Sequence, residues 1–216
     1  MLSVIIPTLN AAHHLPDCLA RLSNVGEVIV VDGGSRDETI AIAEAAGARV
    51  VVAPKGRGPQ LSAGGEAARG DWLFFLHADT ILTPGWLEAV NAHVSRSKKP
   101  GCLRLRLDDS AWQARMIERA VAARVRLLGL PYGDQGLLVS RTHYQNVGGY
   151  RPLPLMEDVD LVRRLGRVLL LRSDAITSAE RWRRDGWFRR SARNLLCLGL
   201  YSAGMSAERV ARIYSR

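Results

Sequence analysis

The chain is short of lysine and of cysteine. Only Lys55, Lys98 and Lys99 stand among its 30 basic residues, and the three cysteines are Cys18, Cys102 and Cys197. Thiols spaced so far apart give neither a zinc-knuckle pattern nor an even disulfide framework, so a disulfide scaffold is excluded and a reducing compartment is expected. Aromatic residues make up 6% of the chain. The longest apolar stretch near the C-terminus, Leu195–Met205, is interrupted by Gly199 and Gly204. It falls well below the roughly 18–20 residues a bilayer span requires. The opening MLSVIIPTLN has no basic n-region and no small-residue cleavage site, so a signal peptide is not expected. Internal repeats and low-complexity tracts are missing too. No G-x-G-x-x-G follows the first apolar run, which removes the dinucleotide fingerprint. No glycine- or lysine-bearing loop follows it either, which disfavours a nucleotidyltransferase gripping a triphosphate.

What is present is ordinary globular composition: 216 residues, 47% hydrophobic and 24% charged. That size suits one domain with a small appendage. The net charge of +9 is unevenly spread, with residues 1–100 carrying 9 basic and 10 acidic residues and residues 101–216 carrying 21 and 11. A uniformly basic nucleic-acid binder is a poor description of such a chain, and no nucleic acid is expected as partner. A near-neutral half carrying chemistry, beside a basic half facing something anionic, fits better.

The first half alternates two periodicities. Short apolar runs at 2–6, 27–31, 49–53 and 72–76 suit buried parallel strands, and the stretches 11–22, 37–46 and 58–69 between them suit helices. This order predicts an α/β fold with a doubly wound, mostly parallel central sheet flanked by helices. Further on, a helix is expected at 83–95, strands at 101–107, 136–140 and 168–172, and helices at 112–128 and 156–165. A tail of one or two helices is expected over 187–216.

In doubly wound sheets ligands sit at the carboxyl ends of the strands. Those ends here read Pro7-Thr8-Leu9-Asn10, Asp32-Gly33-Gly34-Ser35, Lys55-Gly56-Arg57-Gly58 and His77-Ala78-Asp79-Thr80. An Asp32 carboxylate can accept from a base or ribose, paired glycines admit a close backbone, and Arg57 can donate to a phosphate. Asp79 offers a hard oxygen for Mg²⁺ or Mn²⁺. Each cluster alone is commonplace, since a DGGS segment is usually a turn with its own cap. Their coincidence at successive strand ends carries the argument.

SVIIPTLN, VIVVDGGSRDET and RGPQLSAGGEAARGDWLFFLHADT together resemble the nucleotide-sugar half of family 2 glycosyltransferases. The likeness continues through GDQGLLVSRTHYQNVGGY and LMEDVDLVRRL, covering residues 2 to about 166. It implies a GT-A fold over 1–180, with a nucleotide-sugar half (1–100) and an acceptor half (101–180), followed by a basic helical tail over 181–216. It implies inverting, metal-dependent transfer of a sugar from a nucleoside-diphosphate donor, uridine-linked by family default, to a hydroxyl acceptor. Pro7, Thr8, Asn10, Asp32, Gly33, Ser35, Arg57, Gln60, His77 and Ala78 would border the nucleotide. Asp134 and Gln135 would face the acceptor. Asp158 would be the general base, with Glu157 orienting it or binding the acceptor. Asp79 matches the last acid of the DxD metal motif, and His77 stands where the first acid would be. An imidazole ligand there would favour Mn²⁺ over Mg²⁺. A binding protein that keeps the fold without turnover is the alternative.

The tail holds nine arginines (Arg181, Arg183, Arg184, Arg189, Arg190, Arg193, Arg209, Arg212 and Arg216) against Asp185 and Glu208, with Trp182, Trp187 and Phe188 among them. Either it packs on the sheet with solvated arginines, or it lies on an anionic membrane surface. The expectation is the second: a cytoplasmic protein held peripherally at the inner face of the membrane, acting on a lipid-like acceptor. Arg181 or Arg183 is expected to face the diphosphate.

Overall fold

The computed structural model describes residues 1–215; Arg216 of the tail lies outside them. The first half runs β1 (Leu2–Thr8), α1 (Leu15–Leu19), β2 (Glu27–Asp32), α2 (Thr39–Ala45), β3 (Arg49–Val52), α3 (Arg57–Ala67), β4 (Trp72–Phe75), β5 (Thr80–Leu82) and α4 (Trp86–Arg96). The second half runs β6 (Gly101–Leu107), α5 (Trp112–Leu128), a 3-10 turn at Gly133–Gln135, β7 (Leu137–Ser140), α6 (Arg141–Asn146), α7 (Glu157–Leu165) and β8 (Leu169–Thr177). It ends in α8 (Glu180–Asp185), α9 (Trp187–Ser202) and α10 (Ala207–Tyr214).

All eight strands form one sheet in the order β3-β2-β1-β4-β7-β6-β8-β5. The first four are mutually parallel, with Thr8 level with Asp32 and Ile5 level with Phe75. This is the expected α/β arrangement, with helices connecting the parallel strands. Beyond β4 the strand direction changes. β7 is antiparallel to both β4 and β6, while β6 and β8 are parallel. β5 adds an antiparallel edge to β8, and Ser140 caps α6 by accepting from the His143 amide. Neither β5 nor α6 was expected, because each is shorter than the window over which periodicity can be read.

The central strands are buried on both faces. Val4, Ile5 and Ile6 are all fully enclosed, which is why the run is continuously apolar instead of alternating. Val4, Ile6, Val30 and Phe74 pack with Leu15 of α1 and with Trp86 and Val90 of α4. On the other face Ile5, Ile29, Val31 and Leu73 pack with Leu61 of α3 and Leu161 of α7. Each such side chain contributes roughly 1.5–3 kcal/mol by leaving water. A third cluster joins Leu105 and Leu107 of β6 to Ala114 of α5 and to Ala179 and Trp182, so α8 is seated on the body of the domain. Over 187–215 the tail folds into two helices, α9 and α10, within the expected one or two; the short α8 before them was not expected. Among the described residues no helix is long and apolar enough to cross a membrane.

Candidate functional site

At the ends of β1 and β2 the backbone folds over a single carboxylate. Asp32 is 1% exposed. Its Oδ2 accepts from the Gly34 and Ser35 amides, each at 2.8 Å, and its Oδ1 from the hydroxyls of Ser35 (2.5 Å) and Thr8 (3.3 Å). Burial alone would raise its pKa, but these donors outweigh it and hold the carboxyl below the usual range. Asp32, expected to accept from a base, has its oxygens engaged by the turn, which it organises. Gln60, expected at the nucleotide, sits beneath the turn. It is 3% exposed and donates to the Thr8 and Val31 carbonyls at 2.6 and 2.7 Å, tying β1 to β2. A Cβ on Gly33 would meet its amide at 3.0 Å. The surface that remains is made of Asn10, Gly34 and Ser35. Asn10 is exposed, adopts φ of 52°, accepts from the Arg36 amide and donates its own amide to Ser35. Pro7 is half-buried and Thr8 buried beneath it.

Arg57, at the start of α3, links this side to the opposite one. Its Nε lies 3.0 Å from Glu157 Oε1, and one terminal nitrogen lies 4.0 Å from Asp158 Oδ2 and 2.9 Å from His77 Nε2. α3 can begin here because Gly58 passes against the 151–153 backbone, where a Cβ would stand 2.7 Å from two carbonyl oxygens. Glu157 is 3% exposed, and burial raises its pKa, opposed by Arg57 and reinforced by Asp158. Asp158 Oδ1 accepts from the Val159 amide at 2.8 Å and Oδ2 from the Gly133 amide at 2.9 Å. Gly133 can donate only because it lacks a side chain: a Cβ would lie 2.6 Å from His77 Nε2 and 2.8 Å from Arg57. Just before Glu157, Met156 turns α7 into place at φ of 65°. It and Asn10 are the only non-glycine residues with positive φ among those described, and both flank this cleft. Such strain collects at functional sites.

Asp134 faces the same space. Its Oδ1 is buried without a hydrogen-bond partner, and its pKa is pushed up to about 6, by burial first and then by Asp158 and Asp79, against Arg124 and Arg57. Its neighbour Gln135 is corrected, being fully buried and donating to the Leu103 carbonyl at 3.0 Å, so it braces the turn and cannot meet an acceptor.

His77 is corrected as a metal ligand. A guanidinium can only donate, so Nε2 accepts from Arg57 and the ring proton sits on Nδ1, leaving no free lone pair. Burial, Arg57 and Arg181 together hold its pKa well below the ordinary value, which keeps the ring neutral. The argument for Mn²⁺ from an imidazole ligand falls with it. Asp79 is different. Its carboxylate is 26% exposed, accepts no hydrogen bond among the described residues and lies 4.0 Å from His77 Nδ1. No group of three metal-binding side chains converges among the described residues. One free carboxylate still fits a hard cation that takes its other oxygens from a diphosphate and water, as Mg²⁺ usually does. Ala78 is half-buried between the two.

Sequence reasoning missed the Arg57–Glu157 pair and the Gly133 amide; the glycine in PYGDQG was the available signal. Of the two tail arginines expected at the diphosphate, Arg183 is corrected, since it pairs with Asp109 at 2.8 Å. Arg181 lies on the His77 side.

The family model for glycosyl transferase family 2 matches residues 3–130, more than half of the chain. The chain belongs to glycosyl transferase family 2. This family 2 chain is 40% identical over 93 residues to a PGL/p-HBAD biosynthesis glycosyltransferase of Mycobacterium tuberculosis, covering 38% of this chain and 36% of that one. It is 31% identical over 161 residues to the undecaprenyl-phosphate 4-deoxy-4-formamido-L-arabinose transferase of Pseudomonas aeruginosa, covering 64% and 46%. The chain thus spans less than half the length of these curated relatives. In fold, it matches the S. aureus TarS 1–349 structure in complex with UDP-GlcNAc at a TM-score of 0.65, with 15% identity, over 99% of this chain and 70% of that one. Glucosyl-3-phosphoglycerate synthase of Mycobacterium tuberculosis, crystallised with Mn²⁺, UDP and phosphoglyceric acid, matches at 0.56 with 22% identity, over 79% and 67%. The family 2 chain therefore has the GT-A architecture that its α/β sheet order indicates.

Proposed function

We propose that the protein transfers a sugar from a uridine-diphosphate donor to an acceptor oxygen carried by a lipid, a lipid-like molecule or a polysaccharide, with inversion at the anomeric carbon. The observation that carries this reading is the meeting of Asp158, Glu157 and Arg57 beside Asp79 and Asp134 at the strand ends. The UDP and UDP-GlcNAc in the two structural neighbours and the undecaprenyl-phosphate relative support the choice of donor and acceptor.

The Gly133 and Val159 amides hold Asp158 in one orientation. It then takes the acceptor proton as the acceptor oxygen attacks from the face opposite the diphosphate. Arg57 keeps Glu157 and Asp158 from repelling one another and places positive charge beside the reacting centre. Asn10, Gly34 and Ser35 form the polar rim on which the nucleoside rests. Asp79 would hold a divalent cation, Mg²⁺ or Mn²⁺, which offsets charge on the departing diphosphate when bound. Arg181 supports it from the α8 side. A peripheral location at the inner face of the membrane belongs to the same reading, supported by the exposed Phe188, Leu195 and Leu196 of α9.

Turnover of labelled UDP-sugars with a lipid-phosphate acceptor, with and without Mn²⁺, tests the proposal. Asp158→Asn is expected to lower turnover about 10²–10⁴-fold, while the donor still raises the melting temperature as it does for the parent. Full turnover in that variant removes Asp158 from the mechanism.

A further inference from the structure

A second cavity, sharing no lining residue with the cleft, opens where the C-terminal end of α5 meets the start of β8. It is a half-open depression of about 720 Å³, within the range of ligand sites, lined by Arg104, Arg126, Arg167 and Arg172 with Val125 and Val168–Leu171. Four guanidiniums around one space repel one another unless counter-charge is near. Arg104 has Asp174 at 2.7 Å. Arg167 donates to the Arg126 carbonyl at 3.4 Å, so the negative end of α5 offsets part of that charge. No carboxylate pairs with Arg126, Arg167 or Arg172 among the described residues. Immediately beyond Arg126, Leu127 and Leu128 stand 81% and 66% exposed.

We infer that this cavity binds a phosphate-bearing anion, its phosphate gripped by Arg126, Arg167 and Arg172 and its apolar portion lying on the β8 leucines. Guanidinium forks match phosphate oxygens two at a time, which an isolated ammonium cannot do, and every basic residue here is arginine. The same phosphate chemistry can come from a membrane lipid headgroup or from a soluble phosphate monoester. Leu127 and Leu128 at the rim suit the lipid.

The test has two arms, each run on the full chain, on Arg126→Glu/Arg172→Glu and on Arg209→Glu/Arg212→Glu. The last pair changes the charge equally on α10. One arm titrates glycerol 3-phosphate by calorimetry; the other floats the protein with phosphatidylcholine vesicles containing phosphatidic acid. All four substituted arginines are exposed, so the fold is retained, which circular dichroism checks. Binding in at least one arm should weaken at least about tenfold in the cavity variant and far less in the α10 variant. Loss in the calorimetric arm alone identifies a soluble ligand, and loss in the flotation arm alone identifies a lipid. No binding in either arm, or equal weakening by both variants, overturns the inference.

Discussion

The two halves of the molecule neutralise charge in different ways. In residues 1–100 the decisive carboxylate, Asp32, is served by two amides and a hydroxyl within three residues of itself, plus Thr8 from the adjacent strand. In the second half the carboxylates away from the cleft are served largely by arginines. Asp185 takes Arg184, Arg190 and Arg193, Glu118 takes Arg106 and Arg115, and Asp160 takes Arg151 and Arg164. Turn chemistry makes the first kind of site rigid wherever its short sequence occurs. The second kind exists only once distant elements have packed. The cleft lies at the seam between them, and Arg57 is the residue that crosses it.

The sharpest way to probe the locally built side is Asp32→Ala. Removing four accepted hydrogen bonds at a buried turn is expected to cost about 2–4 kcal/mol, read by urea unfolding. Because its folded pKa is depressed, the stabilisation is present above the unfolded value of about 3.9 and disappears as pH falls through the folded one. The acid limb of the parent's stability curve should therefore flatten in the variant.

Arg57→Gln tests the seam. It leaves Glu157 buried without its cation, an expected loss of about 1–3 kcal/mol. The partial exposure of Arg57 keeps the loss moderate. Turnover should fall more than donor affinity, because the substitution disturbs Asp158 directly. A variant as active and stable as the parent would show that the two halves act independently.

Asp134→Asn is expected to do the opposite to stability. With its folded pKa raised to about 6, Asp134 favours the fold below its unfolded pKa and loses that contribution as pH rises through the folded value. At pH above about 6 the amide should thus raise the melting temperature, by about 2–4 °C, and calorimetry across pH should show the slope between the two values vanish.

The smallest effect is expected in the tail. Asp185 is held down to about 2, first by its bond with Arg184 and then by Arg190. Asp185→Asn should loosen the α8–α9 junction, detected as faster proteolysis there with turnover unchanged. The parent should show the same loosening as pH falls from the usual aspartate range towards the folded pKa of about 2.

Much of the first half was legible because its rules are local. Continuous apolar runs marked the parallel strands, and Asp32-Gly33-Gly34-Ser35 marked a turn whose hydrogen bonds close within itself. What the sequence did not show there was how many donors the Asp32 side chain gathers from its own turn and from Thr8. The placement of Gln60 and Gln135 was hidden for a related reason. A glutamine near a motif can face the site or bridge two strands beneath it, and only the packed sheet distinguishes these. β5 and α6 escaped because three or six residues are too few to display a period.

The charge excess past residue 100, visible at once in the sequence, includes three populations in the structure beside arginines that are simply exposed, such as Arg209 and Arg212. Some arginines are internal partners of carboxylates, the exposed Arg181 acts electrostatically on His77, and others line the cavity beside α5. The sequence by itself determined the α/β alternation, the polar strand ends and the family motifs, because period, turn chemistry and spacing act over a few residues. Only the tertiary structure decided that Arg57 meets Glu157 a hundred residues away, that His77 is occupied by that arginine, and that Arg104, Arg126, Arg167 and Arg172 share one space. Those meetings follow from the order and direction of strands in the sheet, which no local pattern encodes.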